Sequence, residues 1–543
     1  MSKRRNNLYG VKTGLAALGL LLAPALAGSA PAALVPPRLL GLGVSNGGHP
    51  FLGDTRELAT VSPNGDGFRE RALIRFGLDR AATVRMQVVA TGAARSPVRV
   101  VWQTKRRLAA GPHQLVWKPG RGTPSRTYLL RFVVRARDGS SRVYGFEPPR
   151  RGRLTSGLVV RVLGIDVAFL QRSYARGGTT AQVSIAADAR TIRLQFLSYW
   201  AATGARDAKT GAGAVMPPLP LDWRNHRSAP HVVSLARAGA WPSGLYFLRV
   251  RTADGRVGYA PLVLRPRRLG EHRVAVVLPT NTWQAENLAD ENGDGWGDSW
   301  NVSGAIRRVD LRRPYLGSGV PQRFRGRDLA FFSWLDRTHK ETDYLADDDL
   351  AGVQSGDILR RAYDLVVFPG HEEYVTPHAY DVIRRFRDLG GRLMFLSAQN
   401  FFQKVRREGR FLRRGPLWRR LGRPDAGLVG VQYVASGRKQ KPYLVQGAGG
   451  EPWVFAGTGL SNGSAFGRYG FAVDARAPSS PPGTVLLARI PRAAGRHDAE
   501  MTLYRTQAGA KVFAAGAIDF AASLGLPSVS RLVDNIWSRF AAP

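Results

Sequence analysis

Residues 363–400 read YDLVVFPGHEEYVTPHAYDVIRRFRDLGGRLMFLSAQN. Two short apolar runs, LVVF and RLMFL, flank a segment with the punctuation of a helix. Thr376 has the residue type of an N-cap, Pro377 suits the first helical position, and Gly390-Gly391 supplies a stop. Between them Ala379, Val382, Ile383, Phe386 and Leu389 recur at helical spacing, giving one apolar stripe. The apolar runs carry no alternation, as in strands buried on both faces. Residues 364–397 therefore read as strand–helix–strand. Further runs of this kind, VAVVLPT from Val274 and AKVFAAGAI from Ala510, extend the pattern. The expectation for 271–543 is an α/β domain with an open, mostly parallel, doubly wound sheet.

Such sheets place ligands beyond the carboxyl ends of their strands. The run at 274–278 is followed by Trp283, Glu286 and an acidic loop. The run at 364–368 is followed by His371, Glu372, Glu373 and Tyr374. Gln399 and Asn400 follow the third run, and Asp519 follows the last. If these strands are neighbours, carboxylates, an imidazole and an amide converge at one edge.

Upstream the texture is all-β. From 49 to 152, runs such as TVRMQVVA and TYLLRFVVRARDG alternate with Gly, Pro and Asp turns, as in a β-sandwich. Ser62-Pro63-Asn64-Gly65-Asp66-Gly67 resembles the opening of Ig-like modules in bacterial surface and flagellar-hook-assembly proteins, which implies scaffolding rather than chemistry. Residues 153–270 read as a second sandwich, with a hairpin around Asp254-Gly255. Residues 28–48 are rich in Pro, Ala and Gly and read as a linker. Ahead of them, a basic start, an apolar run and Ala25-Leu26-Ala27 fit a secretory signal peptide over 1–27, with an uncleaved anchor as the alternative.

The chain of 543 residues has no cysteine, which excludes disulfides, a thiol nucleophile and thiolate metal sites. The formal charge is +39; cleavage after residue 27, removing four basic and no acidic residues, leaves +35. That balance favours anionic partners. In an exported chain these are envelope polymers, headgroups or acidic polysaccharides rather than nucleic acid, and the membrane is met only through an uncleaved leader. GC-rich coding accounts equally well for the abundance of Arg, Ala and Gly.

GHEEY with its helix, GG and SAQN, preceded by SGLYFLRVR, PTNTWQAEN and DYLADDDL, resembles the large-subunit family of N,N-dimethylformamidase, over roughly 170–540. The resemblance implies an α/β domain related to class I glutamine amidotransferases, and a single iron held by two tyrosines and one glutamate, with a histidine and an asparagine around it. Glu373 matches the metal glutamate, His371 the histidine and Asn400 the asparagine, these two supporting catalysis. The tyrosine positions fall on Glu286 and Asn301. Phenolates stabilise ferric iron, whereas carboxylate and amide ligands shift the expectation from iron toward Mg²⁺, Mn²⁺ or Ca²⁺. Trp283 and Tyr374 are expected to line the pocket, with core packing as the plain alternative for both.

The acidic loop has a second reading. Asp290, Asn292, Asp294, Gly295 and Asp298 match calcium-loop positions, but position 12 is Asn301 where a Glu is expected. A solvated Asp/Gly turn is the competing reading. Residues 404–423 carry nine basic residues against one acid, either a solvated face or a groove for an anionic polymer. Two functions follow: a metal-dependent hydrolase acting on non-peptide C–N bonds of a small molecule, or a non-catalytic protein that binds or scaffolds anionic envelope polymers.

Overall fold

The computed structural model describes residues 35–94, 96, 98–145, 157–177, 180–199, 213–223, 231–235 and 241–542. The expected leader at 1–27 lies outside them. The molecule is β-rich and multidomain, with many sheets and few helices.

The first unit packs a three-stranded sheet on a six-stranded one around Ile74, Val84, Met86, Trp117, Tyr128 and Phe132. Its first strand, Leu39–Ser45, lies inside the stretch expected to be linker. It pairs antiparallel with Ala72–Leu78. At the other end, Val159–Val162 pairs with Leu58–Val61 and with Arg126–Arg135, so the unit runs about ten residues beyond 152. The second unit sets the sheet of Ile165–Phe169, Ala181–Ala187 and His231–Leu235 against a five-stranded sheet. In the latter, Gly244–Thr252 and Val257–Arg265 form the hairpin turning at Asp254-Gly255, where Gly255 has φ +87°.

The third unit is built on a nine-stranded sheet. Its strands are β1 (Val274–Leu278), β2 (Asp343–Ala346), β3 (Leu365–Phe368), β4 (Arg392–Phe395), β5 (Lys441–Val445), β6 (Ala465–Tyr469), β7 (Val485–Ala494), β8 (His497–Arg505) and β9 (Lys511–Ala514). The order is β2-β1-β3-β4-β9-β8-β7-β5-β6. Pairing is parallel from β2 across to β9. From β9 to β6 it is antiparallel. The sheet is thus mixed rather than mostly parallel. The difference has a local cause: β7, β8 and β9 follow one another through short turns, and a short turn can only reverse the chain.

The uninterrupted apolar runs are explained by two cores, one on each face. Val274, Val276 and Leu278 enter one core, while Ala275 and Val277 enter the other. Four helices matter to the site: α1 (Thr280–Glu286), α2 (Leu329–Arg337), α3 (Pro377–Asp388) and α4 (Pro527–Ala541). α3 begins as its sequence dictates, with Thr376 Oγ1 accepting from the Ala379 N–H at 3.3 Å, and Gly390 ends it at φ +85°. Its residues Ala379, Val382, Ile383 and Phe386 are buried in one core and α4 covers the other. No helix among the described residues is long and apolar enough to cross a membrane.

Candidate metal centre

β1 and β3 are adjacent and parallel, so the segments leaving their carboxyl ends meet. β1 runs through Pro279 into α1, a buried seven-residue helix that ends on Glu286. Nothing in the local sequence marks this stretch as a helix. It is helical because its N-terminus is capped from elsewhere: Asp347 accepts from the Asn281 N–H at 2.7 Å and from Thr280 Oγ1 at 2.9 Å. β3 runs through Pro369 and Gly370 into His371, Glu372 and Glu373. Gly370 permits a close approach, since a Cβ there would sit 2.8 Å from Pro279 Cγ.

Glu286, His371 and Glu373 come together, with one ligand atom from each lying within 4.8 Å of the others. His371 Nε2 is 3.3 Å from Glu286 Oε1 and 3.9 Å from Glu373 Oε2. It is buried, yet makes no well-directed hydrogen bond. Burial opposes ionisation of Glu286, but the His371 ring beside it together with Arg327 and Arg323 outweighs burial and holds the carboxyl down at about 2. Burial and the Glu286 charge push Glu373 up to about 7. The two carboxylates are thus unlike: one ionised, the other holding its proton to near neutrality. Two carboxylates and an orphaned imidazole nitrogen within one ligand sphere are a donor set that fits a divalent cation.

The loop bearing these ligands is fixed through its backbone. The Glu373 N–H donates to Thr282 Oγ1 at 3.2 Å, and the Glu372 N–H to Asn400 Oδ1 at 2.9 Å. Asn400 Nδ2 in turn donates to the Ser397 carbonyl at 3.1 Å. Asn400 is therefore a brace from the end of β4 to the ligand loop. Its neighbours Gln399 and Phe401 adopt φ +59° and +55°, conformations that cost about 1–3 kcal/mol each in residues other than glycine. Ser397 is buried, and its Oγ donates to the Ile518 carbonyl at 2.9 Å.

Tyr374 is buried with its hydroxyl beside Glu373, and its ring meets Trp300 edge-on at 4.6 Å. Trp283 packs edge-on against Phe324 and donates Nε1 to Asp328 Oδ2 at 3.3 Å. Asp328, which the sequence does not single out, is pushed up to about 6 by burial, against the pull of His371 and Arg327. Glu372 points away from the cluster to Asp347, and burial together with the second carboxyl raises it well above the usual range.

The Asn301 carbonyl accepts from Ala94 of the first sandwich at 2.8 Å. His371 is one of the three residues whose ligand atoms meet. The 290–298 loop packs on the first sandwich. Trp296 packs among Leu58, Val89, Leu129 and Val159 of the first sandwich, and Thr91 Oγ1 donates to the Gly295 carbonyl at 2.7 Å. Within the loop, Asp290 accepts from the Gly293 and Gly295 N–H groups, and Asp298 from those of Glu291 and Asn292. Asn292 and Asp294 take the Asp294 and Trp296 N–H groups.

Fold and centre together define a β-rich multidomain protein with a carboxylate–imidazole centre at the strand ends of its third unit. The sequence profile of the N,N-dimethylformamidase beta subunit-like C-terminal domain matches residues 223–533, more than half of the chain, and the chain belongs to that family. The match takes in the last strands of the second sandwich and nearly all of the third unit. No curated protein matches the chain. Among solved structures, the native conformation of Escherichia coli alpha-2-macroglobulin is matched at 9% identity and a TM-score of 0.21. That match covers 42% of this chain and 16% of that one, a likeness too slight to bear on fold or function.

Proposed function

We propose that the protein is a metal-dependent hydrolase of C–N bonds in small amides, with the metal held by Glu286, His371 and Glu373. The observation that carries this reading is the meeting of those three side chains at the ends of adjacent parallel strands, in a chain of dimethylformamidase-like family. The set differs from the family's two tyrosines and one glutamate, and an imidazole among carboxylates favours Mn²⁺, Fe²⁺ or Zn²⁺ over Mg²⁺ or Ca²⁺. A divalent ion there supplies Lewis-acid polarisation of an amide carbonyl.

The chain's own residues supply the rest. Glu286, ionised throughout the neutral range, provides fixed negative charge. Asp328, with its carboxyl near 6 and its charge felt by His371, is poised to hold and return a proton at a departing amine. Trp283 keeps that carboxyl oriented, and Asn400 keeps the ligand loop in place. The basic, apolar and small-residue succession at 1–27 supports export of the enzyme. The basic run at 404–423 speaks less for a polymer groove: six of its nine cations already have side-chain partners, Asp348, Asp310, Glu408, Gln403, Asp425 and Asp381.

Elemental analysis of the purified protein beside Glu373→Ala tests the reading. The expected result is a transition metal near one per chain, lost in the variant with its circular dichroism unchanged. Metal-free wild-type protein after incubation with Mn²⁺, Fe²⁺ and Zn²⁺ in turn would sink it.

A further inference from the structure

A cavity of about 850 Å³, within the size range of sites for single small molecules, opens at the segment that precedes Asp328. Arg323, Arg327 and Arg468 line it, with Asp519, Phe471 and Leu526. The three arginines come from separate places: one precedes the short helix Phe324–Arg327, one ends it, and one lies on β6, across the sheet from β1. None of the three guanidinium groups forms an ion pair or a side-chain hydrogen bond among the described residues, and Arg327 Nη1 is buried without any partner. In the basic run at 404–423, by contrast, six of the nine cations have side-chain partners.

Arg323 acts unfavourably on Arg327, whose charge Glu286, Asp328 and Asp519 favour; Asp519, the single acid of the lining, also accepts from Gln440 Nε2 at 2.9 Å. A buried guanidinium with an empty nitrogen is costly unless a ligand completes it. The cavity is also continuous in charge with the metal centre. Arg327 and Arg323 both act on Glu286, and Asp328, next in the chain to Arg327, lies against Gly370 of the ligand loop. Phe471 and Leu526 add large, exposed apolar side chains to the same wall.

We infer that this cavity binds a small amide carrying a carboxylate and an apolar group, the carboxylate seated on Arg327 with Arg468 and Arg323, and the amide directed at the metal centre. The planar, bidentate fit of guanidinium to carboxylate favours this anion. The inference rests on the hydrolase reading for what the cavity serves, and on the cavity's own residues for what it binds.

Calorimetric titration of the full chain with N-acetyl-L-leucine and with neutral N-acetyl-L-leucinamide separates the two. The acid is expected to bind at least about tenfold more tightly than the amide, the scale of one charge-assisted hydrogen bond. Arg327→Gln and the exposed Arg468→Gln should each erase most of that preference, and Arg327→Lys should restore part of it. Equal affinity for acid and amide in the wild type, or a preference untouched by both glutamine variants, overturns the inference. Tighter binding of inorganic phosphate than of N-acetyl-L-leucine overturns the carboxylate assignment. Glu373→Ala should retain the preference while losing metal. If it retains metal and turnover as well, the hydrolase reading falls and the anion site stands.

Discussion

Asn400 touches no candidate ligand, yet it determines where two of them sit. Its amide joins the end of β4 to the Glu372 backbone, one residue from both His371 and Glu373. Asn400→Ala should therefore loosen the ligand loop without unfolding the sheet. Metal affinity is expected to fall by about 10–100-fold, the usual cost of losing a group that orients ligands, with the melting temperature of the metal-free protein lowered only slightly; competition with a chelating dye measures the first and calorimetry the second. Asp474 makes a different prediction. Burial pushes its carboxyl up to about 8, against two bonds from the Gln399 N–H. A carboxyl raised on folding stabilises fully below its ordinary range, and that contribution is lost as pH rises through the folded value. Stability should thus fall from about pH 4 to pH 8, by up to about 1 kcal/mol per pH unit. Asp474→Asn, which keeps an acceptor and removes the charge, should flatten this slope in denaturant titrations at pH 5, 6.5 and 8. A slope unchanged by the substitution would show that Asp474 is not buried in its neutral form.

α1 and α3 show which elements a sequence reveals. α3 is legible because its cap, its proline, its stripe and its closing glycines lie within one stretch of chain. α1 is not, because its cap Asp347 is 66 residues from Asn281 and reaches it only after β2 has paired beside β1. The same limit governs the centre. Glu286, His371 and Glu373 were legible as residues, since each follows a readable strand. That His371 joins Glu286 and Glu373 in one ligand sphere depends on how α1 and the loop after β3 face each other, which no spacing records. Asp328 and Arg327 were invisible for want of a local signal: Arg327 ends one short helix, Asp328 stands between it and α2, and both acquire meaning only against Gly370 and Glu286. The antiparallel half of the sheet was missed because β5 to β8 are assembled by hairpin pairing late in the chain. Asp347→Ala removes two acceptor contacts at α1 and the partner of Glu372, and should cost about 1–3 kcal/mol in denaturant unfolding. Thr376→Ala, which loses a cap at the exposed start of α3, should cost about 1 kcal/mol and leave metal content unchanged.

At the scale of the molecule, the acidic loop is a strut between units. Trp296 is 2% exposed and sits in a cluster whose other members are Leu58, Val89, Leu129 and Val159 of the first sandwich, together with Val302. Backbone contacts support it: Ala94 donates to the Asn301 carbonyl, and Thr91 to that of Gly295. The internal Asx bonds of the loop stiffen it so that Trp296 is presented to the sandwich rather than to water. The strut starts four residues after α1, so a short path connects the first sandwich with the metal centre. Trp296→Ala should remove about 3–5 kcal/mol of buried aromatic packing from this junction. Because the three ligands lie outside the cluster, the variant is expected to bind metal with its usual stoichiometry at low temperature. What should change is cooperativity: the first sandwich, no longer anchored by the indole, should unfold in its own calorimetric transition below that of the third unit, and limited proteolysis should cut within 290–302. A single transition at the wild-type temperature would mean that the units are held together elsewhere, through Asn64 and Arg69 of the first sandwich, which reach the carbonyl and carboxylate of Asp188 in the second.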